Sequence, residues 1–484
     1  LTVHTNDGVE RFRIDSSGNV KVGTAATISP DGDLFVTGVC TATTLAGSGA
    51  NLTNLPAANV TGTLPAISGA NLTSLTAGNL TGALPAISGA NLTGIAATDN
   101  VRTGILDVAG IATFRSDVNI PNINGGQVGG RRNIFMNGAM TVNQRESTTG
   151  LSYFNPVTSS IYTLDRWTVF NGNSFDTDSA QITKSTQSPD GFSSSMKWDI
   201  GNTETPSSNQ NCGIEQKIEG QDLQGLAYGT SSAKTMTLSF HVYSNKTGTY
   251  CVQLLQPDGT KYQLHEYTVS SSNTWEKKTI TVVGNTSDAI NDDNTVGMRI
   301  LWHLTCGSSQ TESAASTWTG SGGGQFAATS NQVNLWDNAS NHWYLTGCQL
   351  EIGTTATEFE YRSFGDELSL CERYYQLIMQ DDLGGGGRTG GVGGTPYTDS
   401  SSVYCPILYR CRMRTKPTLE STASSTFRTR RGNSVAFNGF SGFNDAGDHS
   451  GTIITNGNAG GGDIGAYIWI ETNSGGKVAM TAEL

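Results

Sequence analysis

The sequence predicts a mainly β protein: a slender N-terminal shaft, an antiparallel β-sandwich, and a β-rich C-terminal part preceded by one helix. Three observations predict this fold class. Gly accounts for 60 of 484 residues and charged residues for 14%, against roughly 25% charged in ordinary domains. A short motif recurs at a fixed period near the N-terminus, which is typical of stacked repeats. Polar and apolar residues alternate over much of the remainder, as in half-buried strands.

Residues 1–45 form the first predicted unit, a β element of short strands and turns. Polar and apolar residues alternate on both sides of a Ser-Ser-Gly-Asn turn between Arg11 and Gly23, which predicts a β-hairpin. Gly18 and Asn19 are the turn residues suited to a positive φ. The chain begins at Leu1, and the sequence is compatible with an anchoring segment in front of it.

Residues 46–130 form the second unit, a repeat shaft that ends in a Pro-, Asn- and Gly-rich hinge. Gly-Ala-Asn-Leu-Thr starts at Gly49, Gly69 and Gly89, hence every 20 residues. Each copy has few large apolar side chains, too few to offset an ordering cost of roughly 1–2 kcal/mol per residue. We therefore expect several identical chains to wind together and to share one apolar axis.

Residues 131–362 form the third unit, for which the alternation predicts an antiparallel β-sandwich. Predicted strands include residues 236–242, 250–254 and 333–335. Trp167, Trp343 and Tyr344 lie in strand-like motifs, so we predict that they belong to the core.

Residues 363–484 form the fourth unit, a C-terminal tip domain that starts with a helix at 366–380. Acidic residues suit its N-terminal end, and apolar side chains fall on one stripe; the residues concerned are Asp366, Glu367, Leu368, Cys371, Tyr375 and Ile378. Predicted strands follow at 403–408, 412–418 and 464–470.

Charge and cysteine usage restrict the classes of partner. The net charge of −12 and the isoelectric point of 5.0 argue against nucleic acid. No apolar run approaches about 18 residues, so membrane insertion is not predicted. The eight cysteines are spread thinly without a Cys-x-x-Cys pair, which favours free thiols over disulfides. Cys405 and Cys411 are the pair closest in sequence.

Catalysis has weak support in the sequence. Glycosidases need two carboxylates at a defined separation, and Glu358, Glu360, Asp381 and Asp382 qualify by residue type alone. A strand would place the first two on one face, about 6–7 Å apart, but exposed carboxylates are more often simply solvated. The sequence therefore predicts no enzyme.

Motifs for cofactors and metals are also weak. The two Gly-x-Gly-x-x-Gly strings, which start at Gly385 and Gly460, do not join a predicted buried strand to a helix, as phosphate binding requires. Asn444, Asp445 and Asp448 are the oxygen ligands closest to a calcium loop, although their spacing fits a plain turn better. We predict no cofactor and no metal.

Binding has better support, because sugars are held by aromatic faces together with Asn, Asp and Gln side chains. Phe440 and Phe443 lie in a Gly-rich polar stretch without a strand period, which is either a recognition loop or a contact across a subunit interface. Trp318 lies in a Ser-, Gly- and Thr-rich loop. The candidate receptor-binding residues are Tyr397, Phe437, Asn438, Phe440, Phe443, Asn444, Asp445, His449 and Trp318.

Several motifs resemble those of tail fibres of tailed bacteriophages. Phe12-Arg-Ile-Asp-Ser-Ser-Gly-Asn-Val and Gly49-Ala-Asn-Leu-Thr-Asn-Leu-Pro resemble their linker segments, and the flanking Val-x-Gly-x-x-Thr elements are similar to fibres of marine, cyanobacterial phages. Residues 131–362 resemble the carbohydrate-binding-module-like jelly roll of such fibres, with Arg-Asn-Ile-Phe-Met-Asn-Gly, Leu-Asp-Arg-Trp and Gly-Cys-Gln-Leu-Glu-Ile-Gly as the motifs. Arg373-Tyr-Tyr-Gln and the final Ala482-Glu-Leu resemble their end domain.

This resemblance implies a homotrimeric receptor-binding fibre of the virion, assembled in the host cytoplasm and acting outside the host cell. Its partners would be other copies of itself, adaptor or baseplate proteins of the tail, and a host polysaccharide or outer-membrane receptor. Three identical sites would multiply weak affinities by roughly 10²–10⁴. Two alternatives stay open: a polysaccharide depolymerase tail spike, and a structural or capsid fibre without a receptor role.

Overall fold

The computed structural model describes the following residues: 1–23, 26–44, 46, 131–145, 161–173, 175, 180–320, 327–380, 391–396, 402–421, 427–431, 433–437, 439–455, 468–472 and 477–484. Contacts divide the chain into two compact units, Leu1–Ile111 and Ala112–Leu484. The 20-residue repeats, and with them the predicted winding of several chains, lie outside the described residues. The predicted domain boundaries at 45, 130 and 362 stay predictions.

The fold is mainly β, as predicted. The described residues form five antiparallel sheets, together with one α-helix and three short 3₁₀ helices. Each unit is described separately below.

The first unit contains one five-stranded sheet whose strands follow chain order. Its strands are β1 (Thr2–His4), β2 (Glu10–Ile14), β3 (Val20–Val22), β4 (Ala26–Ile28) and β5 (Leu34–Val36). The predicted hairpin is present as β2 and β3. Its turn is held by the Asp15 carboxylate, which accepts hydrogen bonds from the Ser17 and Asn19 amides, and Gly18 takes a φ of +84°. No described residue of this sheet is buried.

The second unit begins with a sandwich of two antiparallel sheets. Its strands are β6 (Ile161–Tyr162), β7 (Trp167–Gly172), β8 (Gln181–Ser185), β9 (Ser195–Asp199), β10 (Asn211–Glu219), β11 (Met236–Ser244), β12 (Gly248–Gln256), β13 (Lys261–Val269), β14 (Glu276–Val282), β15 (Val296–Cys306), β16 (Ala315–Gly320) and β17 (His342–Ile352). One sheet has the order β16-β13-β12-β15-β10-β7-β6, and the other has the order β14-β11-β17-β9-β8. The 3₁₀ helices are Gly220–Leu226, Ser308–Gln310 and Leu335–Asp337.

The core lies between these two sheets and is built by the predicted alternation. On β11 every second side chain from Met236 to Val242 is buried in it, and Trp343 on β17 joins them. Residues 333–335, predicted to be a strand, instead lead into a 3₁₀ helix. The Asn334 side chain caps that helix by accepting a hydrogen bond from the Trp336 amide, which competes with strand geometry.

The tip follows the sandwich within the same unit. It consists of α1 (Phe364–Glu372), β18 (Tyr375–Gln380), β19 (Gly391–Pro396), β20 (Val403–Leu408), β21 (Thr418–Ser421), β22 (Phe427–Arg431), β23 (Asn433–Phe437), β24 (Phe440–Asn444), β25 (Ser450–Thr455), β26 (Ile468–Thr472) and β27 (Lys477–Thr481). These strands form a three-stranded sheet, β18-β27-β21, and a seven-stranded sheet, β23-β22-β26-β19-β20-β25-β24.

Two predictions for the tip were wrong in their bounds. The helix predicted over 366–380 ends at Glu372, because Tyr375 and the residues after it pair with β27, about a hundred residues later in the chain. The strand predicted over 412–418 is a series of bends, and β21 starts at Thr418. Pro417 lies just before it and has no amide for a ladder.

The end of the described chain is fixed to the sandwich by buried polar contacts. Glu483 forms ion pairs with Arg145, at 2.6 Å, and with Arg166. The main-chain oxygen of Leu484 accepts hydrogen bonds from the Tyr162 hydroxyl at 2.7 Å and from Lys217 Nζ at 2.8 Å. Tip and sandwich therefore share a charged junction.

Candidate functional site

The outer face of the five-stranded sandwich sheet carries an aromatic cluster. Because successive strand residues point to opposite faces, the burial of Val242 and Trp343 in the core directs their neighbours Tyr243, His342 and Tyr344 outward. Trp275, just before β14, packs against two of these rings. We call Trp275, Tyr243, Tyr344 and His342 the aromatic platform.

The register of the strands continues this cluster in a row across the sheet. Tyr243 pairs with Tyr344, Tyr344 with Lys197, and Lys197 with Thr183. Trp275 lies at the opposite end of the row, next to the cross-strand pair of Val242 and Glu276. With strands about 4.8 Å apart, the row runs roughly 19 Å across five strands.

The platform rings hold one another in fixed orientations. Tyr243 lies edge to face with Tyr344 at a centroid distance of 5.2 Å, 5.4 Å from Trp275, and stacked over His342 at 5.8 Å. Tyr344 is only 5% exposed, whereas the other three rings are half-buried. Tyr344 is therefore the base of the platform, and the other rings face solvent.

Polar groups surround the rings. Lys197 forms an ion pair with Asp199 at 2.5 Å and lies 5.7 Å from the centre of the Tyr344 ring. His342 Nε2 is 3.0 Å from the Asn273 side-chain oxygen. Burial lowers the pKa of His342 and raises that of Tyr344, which keeps both rings neutral near pH 7.

Two donors of the platform are available to a ligand. The Tyr243 hydroxyl and the Trp275 indole N–H have no hydrogen-bond partner among the residues that the structure describes. A half-exposed aromatic face with an open donor beside it is suited to amphipathic ligands. The arrangement can therefore stack on a ring and bind its polar edge at the same time.

A second aromatic cluster lies further along the same face. Phe192, Phe359 and Tyr361 pack together with centroid distances of 5.0 to 5.6 Å, and Phe192 is 5.2 Å from His241. Gly347 permits this packing, because it has a φ of +61° and a Cβ there would lie 2.7 Å from His241 Nδ1. This covering cluster closes one end of the face and leaves the platform end open.

Trp318, a sequence-predicted binding residue, is in strand β16 rather than in a loop. Its indole N–H donates to the Val283 carbonyl at 2.7 Å, and its ring lies edge to face with Tyr228 at 5.7 Å. The side chain packs against the sandwich core. These contacts give Trp318 a structural role, and a binding role for it stays a prediction.

The predicted loop of the tip is also strand, namely β23 and β24. Phe440 packs against Phe427 at 5.0 Å and Phe443 against Tyr409 at 6.4 Å, both on the tip core. The strand period is absent because the register shifts between Phe440 and Gly442, as in a β-bulge, so that two rings three residues apart pack on the same core. A receptor-binding role for these two residues stays a prediction.

The other predicted tip residues differ in exposure. Asn444, Asp445 and His449 are exposed, and His449 pairs with Asp448. Phe437 is in β23, and its side chain is outside the described set, as are Tyr397 and Asn438 altogether. A shared receptor-binding surface of the predicted tip residues therefore stays a prediction.

The two candidate catalytic carboxylates that the structure describes, Glu358 and Glu360, do not form a pair. Glu360 is buried and accepts hydrogen bonds from the amides of Arg132 and Asn133 at 2.9 and 2.8 Å, with Arg362 at 3.2 Å. Its role is to hold the start of the sandwich. Glu358 is exposed, and Asp381 and Asp382 lie outside the described residues.

Two other carboxylates, Glu266 and Glu312, line an open cavity of about 500 Å³ at the seven-stranded sheet of the sandwich. Glu266 accepts a hydrogen bond from the Thr329 hydroxyl, and Glu312 accepts one from Tyr262. The sequence contained no signal for this pair, because the two residues are 46 positions apart and no motif joins them.

In the part of the chain that the structure describes, no group of three or more His, Cys, Asp or Glu side chains is placed to hold a metal ion. None of the helices described there has the length and apolar character needed to span a membrane. The eight cysteines are free thiols, including Cys405 and Cys411.

Comparisons with known proteins give distant structural likenesses. No family model and no curated protein sequence matches the chain. The enzymatically active domain of bacteriophage CBA120 tailspike protein 4 is 12% identical, with a TM-score of 0.23; the match covers 39% of this chain and 20% of that one. The C-terminal family 22 carbohydrate-binding module of Clostridium thermocellum Xyn10B is 11% identical, with coverages of 44% and 100% and a TM-score of 0.22.

A third solved structure, TmCBM61 in complex with β-1,4-galactotriose, is 11% identical, with coverages of 46% and 99% and a TM-score of 0.23. The chain spans about a fifth of the length of the tailspike that it matches. At these TM-scores the likenesses carry no functional weight, so the function below is inferred from the contacts of the chain itself.

Proposed function

We propose that the protein is a bacteriophage tail fibre that adsorbs to the host surface by binding glycan at the aromatic platform. The observation that carries this proposal is the placement of Trp275, Tyr243, Tyr344 and His342 on one open face. Sugar rings have apolar C–H faces and polar hydroxyl edges, so they suit an aromatic surface with free donors beside it.

The shape of the face suits a chain rather than a single sugar. The platform is open, and the row from Trp275 to Thr183 runs roughly 19 Å across the strands. Lys197 and Asp199 add a donor and an acceptor along that row. A glycan chain laid across the strands would contact the rings at one end and these polar groups at the other.

The first unit supports association with further copies of the chain. Its five-stranded sheet has no buried residue, and it exposes large apolar side chains such as Leu34 at 56% and Phe35 at 61%. Some of its charged side chains already pair with each other within the unit, namely Arg11 with Asp7 and Arg13 with Glu10. A sheet of this kind needs a partner surface, and we propose that two more copies provide it in a trimer.

In this proposal the protein is not an enzyme and acts on the virion, outside the host cell. It is held there by other tail proteins, such as an adaptor or baseplate. Three platforms on one fibre would raise a weak affinity by avidity.

The test is glycan binding by the full chain. Wild-type protein and the Trp275→Ala and Tyr243→Ala variants are applied to a microarray of bacterial surface polysaccharides. We expect the wild type to bind and both variants to lose most of the signal. Phe364→Ala is the matched control, because Phe364 is 60% exposed but lies in α1. Equal binding by all four proteins would reject the platform.

A polysaccharide depolymerase is the second candidate function, and the observation that favours it is the pair Glu266 and Glu312 in one open cavity. Release of reducing sugar from the bound polysaccharide would support it. Loss of that release in Glu266→Gln, with binding unchanged, would assign the reaction to the cavity.

A further inference from the structure

Lys277 lies on the same outer face as the platform. In β14 the side chains of Ile280 and Val282 enter the core, so Lys277 points outward and is exposed. It pairs across the strands with His241. Trp275 precedes it by two residues, a spacing of about 6.6 Å along an extended chain.

The charges nearest the platform are mostly paired, but Lys277 is not. Asp199 is engaged by Lys197, and Glu276 by Lys278, each at 2.5 Å. Lys277 has no ion-pair or hydrogen-bond partner among the described residues. It is therefore a free cation beside half-buried aromatic rings.

The ammonium group of Lys277 changes the electrostatic environment of His241 on this face. The pKa of His241 is lowered to about 4, first by burial and second by Lys277. His241 is thus neutral near pH 7 and adds no charge of its own. The positive potential at this part of the face comes from Lys277.

Glu358 is the opposing charge. Its negative charge acts on the pKa of His241 in the raising direction, opposite to Lys277. It also raises the pKa of Tyr361, as the second cause after burial. Its chain neighbour Phe359 packs on Phe192, which in turn packs on His241, so Glu358 belongs to the covering cluster. A ligand on the platform therefore lies next to Lys277 and further from Glu358.

We infer that the platform recognises an acidic glycan, and that Lys277 binds a carboxylate or other anionic group on a sugar next to the one stacked on Trp275. This inference rests on the proposed function and specifies its ligand class. A flexible ammonium suits the task, because it meets an anion as a point charge without a fixed geometry.

The experiment compares acidic polysaccharides with the same polymers after their carboxylates have been reduced to alcohols. Both forms are placed on the microarray and bound by wild type, Lys277→Gln, Glu358→Gln and Lys234→Gln. Lys234 is the matched control, because it is exposed and unpaired in the described residues but lies before the opposite end of β11.

We expect the wild type to prefer the acidic forms, and Lys277→Gln to bind them about tenfold more weakly, as for the loss of one charge-assisted contact. Lys234→Gln should match the wild type, and Glu358→Gln should bind the acidic forms at least as tightly as the wild type. Added salt should weaken wild-type binding more than binding by Lys277→Gln.

Two results would overturn the inference in distinguishable ways. If the reduced forms bind as well as the acidic forms, and Lys277→Gln changes nothing while Trp275→Ala abolishes binding, the platform stands and the acidic preference fails. If no polysaccharide binds through the platform, the proposed function fails together with the inference.

Discussion

Tyr243 and Tyr344 face each other across strands β11 and β17, and their rings meet edge to face with centroids 5.2 Å apart. Both side chains point away from the core of their own sandwich. Tyr344 is held below, at 5% exposure, while Tyr243 stays half-exposed above it. A buried ring that orients an exposed one is the arrangement expected of a preformed binding surface rather than of a core.

The platform predicts a separation of binding from stability. Trp275→Ala should weaken glycan binding by about tenfold to a hundredfold, as for other aromatic contact residues, because it removes a half-exposed ring. Tyr344→Ala should also lower the free energy of unfolding, because it removes a buried ring. Titration calorimetry and urea unfolding of both variants measure the two effects. Equal loss of stability in the two variants would contradict the assignment of Tyr344 as the buried base of the platform and of Trp275 as its solvent-facing surface.

The junction of tip and sandwich depends on Glu483. Its carboxylate is buried between Arg145 and Arg166, so Glu483→Gln leaves two buried cations without their counter-charge. We expect a loss of about 3–5 kcal/mol in the free energy of unfolding, measured by urea denaturation. Glu420→Gln is the control, because its pair with Lys477 is half exposed and should contribute less than about 1 kcal/mol. Similar losses in the free energy of unfolding for the two variants would argue against a stabilising role of Glu483 at the junction.

His303 predicts an acid-sensitive sandwich. It is buried, both ring nitrogens lack a hydrogen-bond partner among the described residues, and its pKa is lowered to about 3, first by burial and second by Arg299. A base with a lowered folded pKa is protonated more readily in the unfolded chain. The contribution of neutral His303 to the free energy of unfolding is therefore complete above pH 6.5. It is lost progressively as the pH drops from 6.5 towards 3.

The expected slope from His303 is about 1.4 kcal/mol per pH unit below pH 6.5. His303→Leu should remove it, because leucine fills the space beside Phe170 and does not titrate. Unfolding free energies at pH 7, 6 and 5 measure the difference. Parallel pH profiles for wild type and variant would show that His303 is not buried as a neutral base.

The tip aromatics give a test of the residues predicted from the sequence. Phe440 and Phe443 pack on the tip core, so replacing either with Ser should destabilise the tip by about 1–3 kcal/mol. Replacement with Leu keeps apolar volume in the core, and we expect these variants to keep both fold and adsorption. A folded Leu variant that no longer adsorbs would show that the tip takes part in receptor binding.

Association of the first unit is tested by mass. Light scattering of the full chain should give three times the 51.0 kDa of one chain. Charged substitutions at Leu34 and Phe35, which are exposed on the five-stranded sheet, should weaken the association. A wild-type mass equal to one chain would reject the trimer.

Much of the fold follows from alternation that can be recognised in the sequence. The strands around Met236 and Tyr250 were predicted from alternation, and their alternate apolar side chains, such as Leu238 and Val252, do enter the sandwich core, although most residues between them are buried too. In the strand that starts at Val403 only every second side chain is buried. The helix that starts near Asp366 was predicted from its N-terminal charges, but its end was not. The stretch after Glu372 has helical spacing, and its pairing with β27 is a long-range contact that no local pattern encodes.

The platform was harder to predict than the fold. Tyr344 was predicted to belong to the core because it lies in a strand-like motif, as Trp343 does, yet adjacent strand residues point to opposite faces. Trp275 precedes its strand and has no alternation to place it. The informative signal was the triplet His342-Trp343-Tyr344: with its central ring in the core, the flanking rings had to face outward.

The most direct measurement is a crystal structure of the protein with an oligosaccharide from its best-bound polysaccharide. Binding at the platform predicts a sugar ring stacked on Trp275 and Tyr243, with the chain crossing the strands towards Lys197. An oligosaccharide seated against Phe440 and Phe443 of the tip, or in the cavity of Glu266 and Glu312, with the platform empty, would contradict it.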